Sequence, residues 1–292
     1  MRKNEKLSAA ISLAGLKVGN IRFFERNGKV YSRVATTGSM TNGRTARQMI
    51  NRLRFSSVQL VWSAFKNELK GSFEDVAPEK SSYTTFMKLN HNNGVFLTKE
   101  EQENRFQIAT PLHVSEGTLP SLGQVLNADE QVVTDIPLGD FVFTDATTIR
   151  DFTSCVCGGD VRFSYGDELH FVALNQLGCD TDHPYCTVEV SHLSLDIQDE
   201  RPLLAVTGKC PLSNKDGFLA SKTQLGKGCF AFYLSRKVKQ NILASPQMLL
   251  SNNDELIEKY ISEEQFQEAR QSFGKSEDNF ICKWQYEKPT FD

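Results

Sequence analysis

Glu168-Leu-His-Phe-Val-Ala-Leu174 and Cys186-Thr-Val-Glu-Val-Ser-His-Leu193 are the two segments that decide the fold. Apolar side chains recur at every second position along both of them. A period of two is typical of β-strands, because successive side chains point to opposite faces of a sheet. We therefore predict two strands, each with one face in a core.

Short apolar segments between turn residues extend this pattern over residues 106–250. These segments are Phe106–Ala109, Leu112–Val114, Gly139–Phe143, Asp160–Ser164, Glu168–Leu174, Tyr185–Leu195, Leu203–Thr207 and Gly228–Leu234. Strands at such spacing predict a central antiparallel β-sandwich-like domain. The whole chain is expected to be α+β and mostly β, which agrees with its 20 Phe residues.

A β-hairpin is predicted near the N-terminus. Ile21-Arg-Phe-Phe-Glu-Arg26 and Lys29-Val-Tyr-Ser-Arg-Val34 flank Asn27-Gly28, and Asn-Gly favours the two positive φ angles of a type I′ turn. Large apolar residues alternate with cations in both strands. One face can therefore pack while the other stays cationic, with Arg22, Arg26, Lys29 and Arg33.

A long helix is predicted to follow the hairpin. Thr45 and Gln48 form a capping pair, and the helix is expected to run to about Leu69 and stop at Gly71. Its apolar stripe comprises Val58, Val61, Trp62, Phe65 and Leu69. Continued backward, the stripe passes through Arg54 and Arg47. In one alternative their stems cover the core and their heads stay in water; in the other their heads meet carboxylates or phosphates on a partner.

The chain divides into four predicted regions. Residues 1–97 form a basic hairpin-plus-helix region that includes a second helix over Ser81–Asn90. Residues 98–105 form a polar connector, and residues 106–250 form the sandwich-like domain. Residues 251–292 supply helices over Asp254–Ile261 and from Ser262 to a stop at Gly274, followed by a closing strand over Asn279–Tyr286.

Charge is distributed unevenly along the chain. Residues 1–70 carry fourteen Lys/Arg and three Asp/Glu, a balance of +11, so the remainder carries −14 in a chain of net charge −3. This split indicates a phosphate-binding end, two regions that attract each other head to tail in an assembly, or a pairing of the two regions within one chain. The phosphate-binding candidates are Arg22, Arg26, Arg33, Arg44, Arg47, Arg52 and Arg54.

The cysteines offer the best metal candidate. Seven is an odd number, which favours reduced thiols over a disulfide framework. The possible zinc ligands are Cys155, Cys157, Cys179, His183 and Cys186. Structural zinc sites usually have Cys-x₂₋₄-Cys spacing, and Cys155-x-Cys157 departs from it. We therefore expect packing residues, with zinc or a disulfide as alternatives, and predict that chelators leave the melting temperature unchanged.

No sequence motif for catalysis, for a cofactor or for membrane insertion is found. There is no Gly-x-Ser-x-Gly stretch, and Gly226-Lys-Gly228 lacks the frame of a phosphate loop. His170 and His192 are expected to be structural. No apolar run approaches the roughly 18 residues of a membrane span, and Lys17 interrupts the short N-terminal apolar run, so a signal peptide is not expected.

Several phrases, in order along nearly the whole chain, resemble a family of uncharacterised proteins from Bacteroidetes and their mobile elements. These phrases are Lys17-Val-Gly-Asn20, Thr45-x-x-Gln48-x-x-x-Arg52-x-x-Phe55, Tyr83-x-x-Phe86-x-x-x-Asn90, Val114-Ser-Glu-Gly-Thr-Leu-Pro120, Gly166-Asp167, Ser235-Arg236 and Ser245-x-Gln247. The helix phrase, with Trp62 and Leu69, also looks like parts of phage particle proteins. The family implies no activity for any residue here, and the insert around Cys179–Cys186 departs from its pattern.

The sequence therefore favours a non-enzymatic structural or interaction protein. We expect a homo-oligomeric component of a phage virion, tail or similar particle, located in the cytoplasm or the virion, with itself or other particle proteins as partners and without a cofactor. One alternative is a nucleic-acid-associated module that uses the basic N-terminal region. Another is a carbohydrate- or surface-binding β-sandwich.

Overall fold

The computed structural model describes residues 17–18, 21–26, 29–34, 45–69, 71–74, 81–179, 183–207, 212–239 and 241–274. The chain divides into two compact units, and residues 45–278 form the larger one. The smaller unit contains the N-terminal strands. The fold is α+β and mostly β, as the sequence predicts, with antiparallel pairing in every sheet.

The N-terminal sheet has three strands, β1 (Lys17–Val18), β2 (Ile21–Arg26) and β3 (Lys29–Val34), in the order β1-β2-β3. The predicted hairpin strands are confirmed to the residue, and the pairing of Arg26 with Lys29 fits a two-residue connection. The connection itself, Asn27-Gly28, and the predicted closing strand, Asn279–Tyr286, lie outside the described residues.

The central sheet of the larger unit is built on three long strands: β7 (Glu168–Leu177), β8 (Tyr185–Ser194) and β11 (Gly228–Val238). The strand order is β12-β11-β7-β8, with β12 at Asn241–Ala244 and β14 (Leu250–Ser251) also paired to β11. Successive residues of β7 and β11 are buried on both sides. The expectation that Glu168–Leu174 has one face in the core was therefore wrong, because both faces are covered.

A second sheet packs on one face of the central sheet. It contains β5 (Gln124–Leu126), β6 (Val132–Pro137), β10 (Phe218–Ala220) and β9 (Ser213–Lys215), in that spatial order. Ile136 and Leu219 from this sheet share a core with Phe171, Phe230 and Phe232 from the central one. This face-to-face packing is the sandwich-like part of the fold.

Two helices cover the opposite face of the central sheet. Helix α1 (Ala46–Phe65) and helix α2 (Ser82–Asn90, followed by a 3₁₀ turn over His91–Asn93) place Val61, Phe65 and Phe86 against Val172 and Ala231. Both helices begin at capping residues, Thr45 and Ser81. Helix α1 ends at Phe65, and turns rather than helix follow as far as Leu69.

Several predicted strands have other conformations. Leu203–Thr207 is the short helix α5, and neither Gly139–Phe143 nor Asp160–Ser164 is a strand. Phe106–Ala109 is not a strand, although the Gln107 N–H donates a hydrogen bond to the Pro184 carbonyl oxygen at 3.0 Å. Strand β4 (His113–Ser115) overlaps Leu112–Val114 and pairs with β13 (Gln247–Met248). A helix that the sequence prediction missed, α4 (Ile149–Gly159), packs against the second sheet and contains Cys155 and Cys157.

Residues 98–105 are part of the packed body. They contain helix α3 (Lys99–Glu103), which contacts helix α7 (Glu263–Ser272). Helix α6 (Asp254–Ile261) precedes α7, so the two predicted C-terminal helices are present. Because residues 58–87 share a core with residues 109–249, the structure divides the chain near residue 44 and not at 98–105.

Candidate functional site

The strongest candidate for a functional surface is one face of the N-terminal sheet. Arg22 lies opposite Arg33, and Phe24 lies opposite Tyr31. The two pairs are two positions apart along each strand, so the four side chains share one face. All four are exposed to solvent. We call Arg22, Phe24, Tyr31 and Arg33 the cationic–aromatic face.

The rings of this face are arranged as a platform. The centroids of Phe24 and Tyr31 are 5.8 Å apart and the ring planes differ by 23°, which is a stacked arrangement. The guanidinium carbon of Arg33 lies 5.6 Å from the centroid of Phe24, within cation–π distance. Phe24 is 38% and Tyr31 is 40% exposed. The positive charge therefore lies over one ring, and both rings and the charge occur together on this face.

The reverse face of the same sheet is mostly apolar, with Ser32, which lies opposite Phe23, as a polar member. Val18 pairs with Ile21, which pairs with Val34 on its other side, and Phe23 lies two residues further along β2. The exposed fractions are 57% for Val18, 43% for Ile21 and 74% for Val34, whereas Phe23 is half-buried. We call Val18, Ile21, Phe23 and Val34 the apolar face.

The remaining predicted arginines are spread over different environments. Arg26 belongs to β2, but its side chain lies outside the described residues, as does all of Arg44. Arg47 is exposed in the first turn of α1, and Arg52 and Arg54 are half-buried. Arg22 and Arg33 belong to the smaller compact unit, whereas Arg47, Arg52 and Arg54 belong to the larger one.

Arg54 contacts an aromatic side chain of the larger unit. Its guanidinium carbon lies 5.5 Å from the centroid of Phe96. Its Nε atom is buried and makes no hydrogen bond to any described residue. The buried stripe of α1 continues backward through Leu53 and Met49, not through Arg54 and Arg47. The guanidinium of Arg54 therefore lies over an aromatic ring, and its Nε atom is not held in water as the packing alternative requires.

The five candidate zinc ligands are not brought together. Cys155 and Cys157 pack against the core between the two sheets, whereas Cys186 is buried in the core under α1 and α2. The central sheet separates these two cores. Burial raises the pKa of the Cys186 thiol, with Cys229 and Cys179 contributing. Cys179 and His183 are exposed, and no group of three or more metal-ligating side chains occurs among the described residues.

Two histidines that the sequence treats separately are in direct contact. His170 Nδ1 lies 2.6 Å from His192 Nδ1, and His170 Nε2 lies 2.7 Å from Ser235 Oγ. The ring of His170 also stacks on Tyr233, with centroids 4.3 Å apart. Residues from β8, β7 and β11 are therefore joined by one chain of hydrogen bonds, which only the strand register could have revealed.

His170, the buried member of the pair, is held neutral. Burial and the neighbouring His192 lower the pKa of His170 to about 3. Ser235, His170 and His192 resemble a nucleophile, a base and an orienting group. However, Ser235 is only 6% exposed, so a substrate carbonyl group has no access to its Oγ atom. The arrangement ties three strands together and does not support acyl transfer.

A cleft of about 370 Å³ lies over β7 and β8. Thr187, Glu189 and Ser191 line it from β8, and Lys222 and Lys227 line it from the loop before β11. Its volume falls in the range of small-ligand sites. The lining combines carboxylate, hydroxyl and ammonium groups, so it is suited to a polar ligand.

Comparisons with known proteins add no relative. No family model, no curated protein and no solved structure matches the chain. Among the described helices, none is both long and apolar enough to cross a bilayer. The class defined by the fold is thus an α+β, mostly β protein, with two larger antiparallel sheets and a two-stranded one in its body and a two-faced sheet near its N-terminus.

Proposed function

We propose that this chain is a non-enzymatic structural protein that associates with copies of itself in a particle such as a phage virion or tail. The observation that carries the proposal is the apolar face of the N-terminal sheet. An isolated two-stranded hairpin is marginally stable at best in water, and the third strand here, β1, has only two residues. Val18, Ile21 and Val34 are exposed in the single chain. The partner that covers them is a second copy.

Charge complementarity supports a copy of the same chain as the partner. Residues 1–44, which include the N-terminal sheet, carry nine Lys/Arg and two Asp/Glu, a balance of +7, so the rest of the chain carries −10. Opposite potentials steer association and fix its register. A basic region on one copy and an acidic body on the next permit repeated head-to-tail contact.

Three helices provide the most acidic part of the body. Tyr260 donates a hydrogen bond to Glu101 at 3.2 Å, and the Lys99 backbone N–H donates to Ser272 Oγ at 2.8 Å, so α3, α6 and α7 lie together. Their exposed carboxylates are Glu100, Glu103, Asp254, Glu255, Glu258, Glu263, Glu264 and Glu268. This surface is expected to steer the approach of the basic region of a neighbouring copy, whereas the contact itself is made by the apolar face.

Size-exclusion chromatography with light scattering tests the proposal. At micromolar concentration and low salt, the full chain should have a mass several times 32.8 kDa. The mass should fall when salt is raised, because the Debye length shortens from about 30 Å at 0.01 M to about 3 Å at 1 M. A strict monomer, with no partner in pull-downs from producing cells, would overturn the proposal.

A second candidate function is carbohydrate binding, and the cleft over β7 and β8 favours it. Hydroxyl and carboxylate groups of Ser191, Thr187 and Glu189 line the cleft beside Lys222 and Lys227. These groups can hydrogen-bond to sugar hydroxyls. A glycan array probed with the full chain and with Glu189→Ala should show signals that the variant loses, and a blank array would rule the candidate out.

A further inference from the structure

The cationic–aromatic face is the surface with the most specific chemistry, and it lies opposite the apolar face that the proposed assembly uses. We infer that this face binds single-stranded nucleic acid, with bases stacked on Phe24 and Tyr31 and phosphates bound by Arg22 and Arg33. This inference goes beyond self-association, because it names a different partner on a different face.

The strand register places the two arginines and the two rings on one face. Arg22 and Arg33 form one cross-strand pair, and Phe24 and Tyr31 form the next pair on the same face. Pairs at this spacing are about 7 Å apart along a strand. A pair of cations and a pair of rings are therefore adjacent on one surface.

The rings of Phe24 and Tyr31 are exposed enough to contact a ligand. An aromatic pair across a hairpin also stabilises the strands, and that role alone does not require neighbouring cations. Here both rings are about two-fifths exposed, at 38% and 40%, and their planes are nearly parallel, at 23°. Every base has a flat π-face, so such a platform accepts bases without regard to sequence.

The projecting rings favour single strands over duplexes. Rings that project from a sheet reach only bases that are unstacked, because the faces of duplex bases are covered by their neighbours. Arg33, whose guanidinium lies 5.6 Å from the Phe24 centroid, is placed to contact a phosphate next to a stacked base. An acidic protein surface would satisfy Arg22 and Arg33 but would leave the rings unused.

Fluorescence anisotropy with the full chain tests the inference. The probe is a single-stranded oligothymidylate of about 16 nucleotides, the upper end of known site sizes per binding fold, compared with a duplex and with heparin. We expect tighter binding to the single strand, and an affinity that falls with salt by a slope of about −0.7 per phosphate contacted.

Matched variants separate the contributions of rings and charges. Phe24→Leu with Tyr31→Leu should weaken binding by about tenfold or more and leave the salt slope unchanged. Phe24→Tyr with Tyr31→Phe keeps both rings and should retain binding. Arg22→Gln with Arg33→Gln should reduce the magnitude of the slope by about 1.4, whereas Lys66→Gln, at an exposed position on the body, should change neither quantity.

Three results would each overturn the inference. The first is no binding at about 50 mM salt, where phosphate contacts are strong. The second is equal binding of heparin and the single strand, since heparin has charges and no bases. The third is retention of affinity by the double leucine variant, which would show that the rings only stabilise the hairpin.

Discussion

Asp167 is a buried carboxylate next to the start of β7. Its carboxylate is 1% exposed and accepts hydrogen bonds from Arg236 Nε at 2.7 Å and Nη2 at 2.8 Å. It also accepts one from the Ser164 backbone N–H at 2.8 Å. Removing one partner of a buried ion pair leaves the other charge uncompensated. We expect Asp167→Asn to lower the free energy of unfolding by about 3 kcal/mol.

Urea denaturation measures this effect, and the chain offers a matched control. Glu200 forms an ion pair with Arg150 at 2.7 Å, but both side chains are exposed. Solvent screens such a pair, so Glu200→Gln should cost less than about 1 kcal/mol. Equal losses in the two variants would show that burial of Asp167 has no energetic consequence.

His170 makes a prediction about pH. Burial and His192 lower its pKa to about 3 in the folded chain, against about 6.5 when unfolded. Glu168 lies 3.7 Å from Nε2 but is exposed, so solvent weakens its attraction for a proton. Between these two pKa values the unfolded chain binds a proton that the folded chain refuses. Stability is therefore complete above about pH 6.5 and falls as pH decreases toward about 3.

The predicted loss from this histidine is about 2 kcal/mol between pH 7 and about pH 5. Unfolding free energies of the wild type and of His170→Gln at both pH values isolate it, since glutamine keeps hydrogen-bonding atoms and does not titrate. The variant should lose less stability on acidification. Parallel pH profiles would contradict the assigned environment of His170.

The sequence allowed some of these residues to be predicted and not others. Asn27-Gly28 indicates a two-residue turn, and that turn fixes the register, so the pairing of Phe24 with Tyr31 could have been found from it. The distribution of charge indicates Arg22 and Arg33 but does not indicate the rings. The contact between His170 and His192 could not be predicted, because it depends on how β7 and β8 are aligned across a long connection.

At the scale of elements, β7 and β11 pair at the centre of the body. Their close approach at Gly228 excludes a side chain at that position. Gly228 has φ +155°, and a Cβ atom there would overlap the carbonyl oxygen of Leu174 on β7. The neighbour in this clash is backbone within a paired strand, so it cannot move aside. Gly228→Ala should cost about 3 kcal/mol, from overlap and backbone strain together.

Gly158 provides the opposite case for a thermal-melting comparison. It lies in helix α4, and nothing approaches the position of an added Cβ atom within 4 Å. Gly158→Ala should therefore raise the unfolding free energy by about 0.5 kcal/mol, because alanine favours helix. A tolerated alanine at 228, or a harmful one at 158, would contradict the packing described for these elements.

Element types were predictable where the chain carries a local signal. The hairpin, α1, α2 and α7 each have turn or capping residues that mark them. Helix α4 was not predicted, although Thr148 and Asp151 form the capping box at its start. Leu203–Thr207 is apolar and short, and such a run does not distinguish a buried strand from a turn of helix.

At the scale of the whole molecule, the sequence established the separation of charge but not the boundary between units. The polar stretch 98–105 looks like a connector, yet Glu101 accepts a hydrogen bond from Tyr260 at 3.2 Å. Polar residues at that position cap and join helices instead of linking domains. The division near residue 44 depends on long-range packing of α1 against the central sheet, which composition does not report.

The central claim is that the apolar face of the N-terminal sheet holds copies of the chain together while the opposite face remains available. Light-scattering mass of Val34→Asp tests it most directly, with Phe24→Leu as the control on the other face. Val34 is 74% exposed, so the change introduces a charge at the proposed contact without burying one in the monomer. We predict a monomeric mass for Val34→Asp and the wild-type assembly mass for Phe24→Leu. An unchanged assembly in Val34→Asp, or a monomeric wild type, would contradict the account.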